Sequence, residues 1–110
     1  MDFSTNVKLT IRGNGRGFFG PGIAELMERI RETGSTKDAC VQMGLSYTKG
    51  RRILKRAEAV LGYPLITIRH GGSGGGATTL TEEGEQFLLR YRELEADVMK
   101  YAMKRFEEKL

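Results

Sequence analysis

Val7, Leu9 and Ile11 alternate with Lys8, Thr10 and Arg12, the period-two pattern of a strand with one covered face. Gly13 to Gly20 then reads as a glycine-rich loop pinned to the core by Phe18 and Phe19. From Pro21 the spacing turns helical. Ile23, Leu26, Met27 and Ile30 fall on one face and Glu25, Glu28, Arg29 and Arg31 on the other, with proline suited to the first turn and Gly34 to the stop. A second helix is expected over Thr36 to Met43, capped by Ser35 or Thr36, with Ala39, Cys40 and Met43 inward. Gly44-Leu45-Ser46 is the turn into a third helix, Tyr47 to Leu61, whose inward positions are Ile53, Leu54, Ala57 and Val60 or Leu61. Gly62 and Pro64 end it. Pro64 to Arg69 and Ala77 to Thr81 read as two strands around the Gly71 to Gly76 run, and a long helix follows from Thr81 to Leu110.

Helix, tight turn, basic helix and glycine-tipped hairpin, in that order, predict a helix-turn-helix with a wing, a device for placing one helix in a DNA major groove. The expected fold is mainly α with a small β wing: residues 1–80 form the winged helix-turn-helix and residues 81–110 a dimerisation helix of the same structural unit. Phe87, Tyr91, Leu94, Val98 and Tyr101 are spaced 4, 3, 4, 3, a short heptad-like seam that Arg105 interrupts. So long a helix on so small a body exposes more apolar surface than the body covers. A homodimer is the expected cover, and a helix folded back on its own body is the alternative.

Charge sharpens this picture. Of the 110 residues, positions 1–80 hold twelve Lys/Arg against six Asp/Glu, so that part carries +6; positions 81–110 hold six against eight and carry −2. A basic body on a mildly acidic helix points to a polyanionic partner for the body alone. One cysteine excludes an internal disulfide and fits a reducing compartment. No apolar run approaches the roughly 20 residues of a membrane span. Met1-Asp2-Phe3-Ser4 lacks the basic start and apolar stretch of a secretory signal, so a cytoplasmic protein with no membrane partner is expected.

The candidate chemistry is that of DNA binding. Ser46, Tyr47, Thr48, Lys49, Arg51 and Arg52 lie near the start of the third helix, placed for base edges or phosphates, while Lys55 and Arg56 lie a turn later, placed for the backbone. Arg69 and His70 stand just before the wing tip, whose bare glycines can approach a backbone closely. His70 is the only histidine, and with one distant cysteine it assembles no zinc site. Gly15-Arg16-Gly17-Phe18-Phe19-Gly20 matches the G-x-G-x-x-G dinucleotide pattern, but the chain after Gly34 continues as a helix rather than the required second parallel strand. The Gly71 to Gly76 run lacks the Gly-Lys-Ser/Thr ending of a phosphate loop, and Cys40 in an inward slot reads as core rather than as a sensor thiol. No enzyme, no cofactor and no small-molecule effector site are expected.

Several short runs together carry a resemblance: Phe18-Phe19-Gly20, Gly34-Ser35, Ala39, Met43-Gly44, Ser46-Tyr47, Leu61-Gly62-x-Pro64-Leu65, Gly71-Gly72-x-Gly74-Gly75-Gly76-Ala77 and Leu80-Thr81-x-x-Gly84. Over roughly residues 5–95 the chain resembles the N-terminal domain of ModE-type molybdate-responsive regulators, a relative of the LysR-type winged helix. The resemblance implies a dimeric prokaryotic transcription factor, with the helix from Tyr47 in the major groove, the wing on the flanking backbone and the last helix pairing two subunits. Two departures are expected to matter. Gly50-Arg51 stands where the family usually has an Ala-Trp pair, which puts a glycine inside a helix at a cost of about 1 kcal/mol relative to alanine. The chain also reaches Leu110 without a molybdate-binding domain, so molybdate sensing is not carried over. The alternative function is a winged-helix module for protein–protein interaction with only non-specific DNA affinity.

Overall fold

The structure is a computed structural model describing residues 2–69 and 77–110. Its elements are β1 (Ile11–Gly13), β2 (Arg16–Phe19), α1 (Pro21–Thr33), α2 (Thr36–Gln42), α3 (Tyr47–Leu61), β3 (Ile66–Arg69), β4 (Ala77–Leu80) and α4 (Glu82–Lys109). Among the described residues, four helices and two small antiparallel sheets are present. The helix-rich fold, the β wing and the long last helix are as the hydrophobic pattern predicts, and the β1–β2 sheet is not.

Local chemistry sets the boundaries. The Ser35 hydroxyl accepts from the Asp38 N–H at 3.0 Å, Ser46 from the Lys49 N–H at 3.1 Å and Thr81 from the Gly84 N–H at 2.9 Å, so α2, α3 and α4 each start on a side-chain cap. Ser35, not Thr36, is the cap of α2. The Thr36 hydroxyl instead meets that of Thr78 at 3.1 Å inside the protein, and the Thr78 N–H donates to the Gly34 carbonyl at 2.8 Å. These bonds tie strand β4 of the wing to the start of α2. On the other side, the Glu58 carboxylate of α3 accepts from the Leu65 N–H at 2.8 Å and so directs the chain into β3. β3 and β4 pair in register from Ile66↔Leu80 to Arg69↔Ala77. The turn of the motif and the wing thus hang from one core, which gathers Leu26, Met27 and Ile30 of α1, Ala39 and Cys40 of α2, and Leu54 and Ala57 of α3.

The N-terminal region departs from expectation. Gly13 to Gly20 is not a loop. Asn14 (φ 53°) and Gly15 (φ 78°) form a two-residue turn between β1 and β2, which pair antiparallel with a bulge between Ile11 and Arg12. Asn-Gly is the pair that a two-residue hairpin turn with both central residues at positive φ favours, a signal hidden among the surrounding glycines. The alternating residues 7–10 have no strand partner among the described residues. They run antiparallel to α4, where the Tyr91 hydroxyl donates to the Leu9 carbonyl at 2.8 Å, the Val7 N–H to Met99 Sδ at 3.2 Å, and the Phe3 and Phe106 rings lie 5.7 Å apart. Leu9 back to Phe3 spans about 20 Å of extended chain, and Tyr91 on to Phe106 about 22 Å of helix, so the two keep pace.

This placement changes the expected seam. Tyr91 is 1% exposed and packs edge-on against Phe19 with centroids 5.0 Å apart, and Phe87 meets Phe19 at 4.7 Å. Both residues, expected between subunits, are turned into the protomer by the hairpin phenylalanines. Leu94 and Tyr101 remain exposed, at 46% and 63%, with Val98 half-buried between them. Two bidentate clamps hold α4 to α1: Arg31 on Glu85 at 3.0 and 2.6 Å, and Arg92 on Glu28 at 3.0 and 2.7 Å. Hydrogen bonding to Glu28 raises the Arg92 pKa, and hydrogen bonding to Arg31 holds Glu85 below the usual carboxylate range.

Candidate nucleic-acid interface

Helix α3 is amphipathic in a way that separates structure from chemistry. Gly50, Leu54 and Ala57 are buried, Ile53 and Leu61 pack partly against the core, and the opposite face carries polar and charged side chains. Tyr47, Thr48, Arg51, Arg52, Lys55 and Arg56 line one open, shallow depression, so the helix brings together six of the residues expected to touch bases or the DNA backbone. Lys49 is exposed on the same helix outside that depression, and Ser46 is committed to capping. Arg69 is exposed at the end of β3, in the last strand pair before the wing loop. His70 and the Gly71 to Gly76 tip lie outside the described residues.

Among the described residues, the salt bridges lie away from this face. Carboxylate-paired arginines sit on α1 and α4: Arg29 with Glu25, Arg31 with Glu85, Arg92 with Glu28 and Glu95, Arg105 with Glu108. Among the described residues, no salt bridge engages Lys49, Arg51, Arg52, Lys55 or Arg56. Arg56 is held by the backbone instead, donating through Nη2 to the Gly17 carbonyl at 2.7 Å. Cations without a carboxylate partner on one helix face raise the local potential and suit a polyanion.

A close approach keeps α3 in place. A Cβ at Gly50 would lie 2.3 Å from Cys40 Sγ, so the glycine lets α3 sit directly on the cysteine of α2. The helix-propensity cost of Gly50 has this packing as its counterpart. Burial raises the Cys40 pKa, which disfavours the reactive thiolate and leaves the residue as a packing element. Gly50→Ala should therefore destabilise the protein by about 1–2 kcal/mol, overpacking outweighing the gain in propensity. Adding Cys40→Ala should restore most of the loss. Denaturant melts of the two single variants and the double variant check this, and additive losses would contradict the contact.

The G-x-G-x-x-G run is accounted for by the same geometry. Gly15 closes the hairpin turn, Gly17 receives Arg56 while a Cβ there would stand 2.8 Å from Thr10 Cγ2, and Gly20 is the residue before α1. Every strand pair among the described residues is antiparallel, so no parallel strand follows α1 to complete a dinucleotide site. Sequence reasoning missed Arg56's attachment to the hairpin and the Cys40–Gly50 approach. Neither has a local signal, because each joins segments distant in the chain.

Two curated proteins are similar to the chain. Over 75 residues it is 35% identical to the molybdenum-pterin-binding protein MopB of Rhodobacter capsulatus, a stretch covering 68% of this chain and 28% of that protein. Over 92 residues it is 30% identical to the transcriptional regulator ModE of Haemophilus influenzae, covering 84% of this chain and 36% of that one. The chain thus spans about a third of the length of the curated relatives it matches. No family model matches it. Neither relative's name is that of an enzyme, and one is a transcription regulator. Among the described residues, no helix is long and apolar enough to cross a membrane.

Proposed function

We propose that the chain is a sequence-specific, double-stranded DNA-binding regulator of transcription that acts as a homodimer. The observation that carries this reading is the carboxylate-free cationic face of α3, displayed by a helix-turn-helix and flanked by a wing. In this reading α3 enters the major groove. Arg51 and Arg52 offer forked donors that match guanine, and Thr48 offers a methyl and a hydroxyl. Lys55, Lys49 and Arg69 meet phosphates. The regulatory role follows the similarity to ModE of Haemophilus influenzae. Molybdenum–pterin binding, named for MopB, is not carried over, because the similar stretch covers only 28% of that protein.

Selection of bound duplexes from a random pool tests this directly. Enrichment of a two-fold symmetric motif, its half-sites one or more helical turns apart, is the expected result. Recovery of the pool unchanged would contradict sequence reading and favour the protein-interaction module.

The dimer contact is proposed along Leu94 and Tyr101, the exposed residues of the expected seam, with half-buried Val98 between them. Leu94→Glu with Tyr101→Glu should convert a dimer into a species of 12.3 kDa in sedimentation velocity, with the helical circular dichroism kept. A parent chain that already sediments as a monomer at tens of micromolar would remove the dimer from the account.

A further inference from the structure

Helix α3 is not the only cationic surface on this side of the molecule. Lys8, Thr10, Gly17 and Arg56 line a groove together with the beginning of α1, and Arg56 also lines the depression on α3. One side chain thus walls both surfaces and makes them continuous. Its bond to the Gly17 carbonyl sets the β1–β2 hairpin beside α3, and the fit is close enough that a Cβ on Gly13 would stand 2.7 Å from Val60 Cγ1. Lys8, Thr10 and Arg12 alternate along the exposed face of the N-terminal segment, and Arg12 stands opposite Gly17 in the hairpin register. The Arg12 guanidinium folds over the turn onto the Gly15 carbonyl. Among the described residues, Lys8, Arg12 and Arg16 form no salt bridge. Nor does an acid stand in the first turn of α1, in contrast to the three glutamates that open α4.

We propose that the β1–β2 hairpin is a second DNA contact, in which Lys8, Arg12 and Arg56 grip backbone phosphates beside the stretch that α3 enters. The inference rests on the reading of α3 as a major-groove helix and extends the interface in the direction opposite to sequence readout. Cations flanking small residues hold phosphates as charges, so the hairpin adds affinity and salt dependence while leaving base preference to α3. The glycines of the G-x-G-x-x-G run then serve the hairpin itself: Gly15 closes its turn, and Gly17 accepts the Arg56 bond at a point where a Cβ would meet Thr10.

The test compares the parent chain with Lys8→Gln/Arg12→Gln on a duplex carrying the selected motif and on random duplex, from about 50 to 200 mM salt, the range over which phosphate contacts register most clearly. The double variant should lower the slope of log K against log salt by about 2, at roughly 0.9 for each phosphate no longer neutralised, on both duplexes. The ratio of specific to random affinity should stay within about twofold, as expected of contacts that carry no sequence information. Lys8→Arg/Arg12→Lys, which keeps both charges, should keep the parent slope. Lys8→Gln alone should show about half of the effect and guards against damage to the turn by the loss of Arg12. An unchanged slope in the double variant overturns the proposal, as does a loss confined to the specific duplex, which would place these residues at base edges. A parent chain without salt-dependent DNA binding would instead fail the α3 reading itself, a separate and recognisable result.

Discussion

Gly84→Ala should lower the stability of the protein by about 2–3 kcal/mol and its melting temperature by roughly 8–15 °C. Gly84 is buried in the first turn of α4, where a Cβ would stand 2.3 Å from the Leu65 carbonyl oxygen and 3.1 Å from its carbon. Those atoms are backbone and cannot swing aside. They are also held: the Thr81 N–H donates to the Leu65 carbonyl at 2.9 Å, the Thr81 hydroxyl donates to the Pro64 carbonyl at 2.7 Å, and the same hydroxyl caps Gly84 at 2.9 Å. The Leu80-Thr81-x-x-Gly84 run is therefore a joint between the wing and the long helix. Relieving the clash means tilting α4 away from Leu65 and disturbing the packing of Leu88 and Tyr91 beneath it. Gly22→Ala is the matched control, since that glycine is also in a helix but has nothing among the described residues within 4 Å of its added Cβ. It should be neutral or mildly stabilising. Thermal melts followed by circular dichroism separate the two, and equal behaviour would contradict the joint.

Arg51→Ala combined with Arg52→Ala should weaken binding to the selected duplex by about 2–6 kcal/mol, each arginine contributing about 1–3 if it meets a base. Stability should change by no more than about 0.5 kcal/mol, because neither side chain belongs to the core cluster or to a salt bridge among the described residues. The single variants divide the roles. An arginine that reads a base loses affinity mainly on the selected duplex; one that holds a phosphate loses it equally on selected and random DNA and lowers the salt slope by about 1. Anisotropy titrations on both duplexes make the distinction, and full affinity in the double variant would take α3 out of the interface.

The contrast between these two predictions matches what the sequence shows and what it hides. Capping and helix stops are written locally, so Ser46, Thr81, Gly34 and Gly62 mark their boundaries correctly to within a residue. The cationic face of α3 is equally legible, because helical spacing alone sorts Arg51, Arg52 and Lys55 away from Leu54 and Ala57. Contacts between distant segments have no such signature. Gly84 against Leu65 and Gly50 against Cys40 look in the sequence like ordinary glycines in helices. The hairpin has a local signal at Asn14-Gly15, but the glycines around it mask that pair. The 4, 3, 4, 3 seam is ambiguous for a physical reason: a stripe that packs on its own body has the same spacing as one that packs on a partner. Phe18 and Phe19 decide the matter for Phe87 and Tyr91 by covering them from within the chain.

Whether the protein reads DNA sequence is decided by titrating the parent chain with duplex from upstream of its own gene and with random duplex of equal length, across a salt series. A sequence-reading regulator binds the upstream duplex more tightly at every salt concentration, with log K falling linearly as log salt rises and a slope that counts its phosphate contacts. Weak, equal binding to both duplexes would contradict the account and leave the α3 face as a docking surface for an acidic protein.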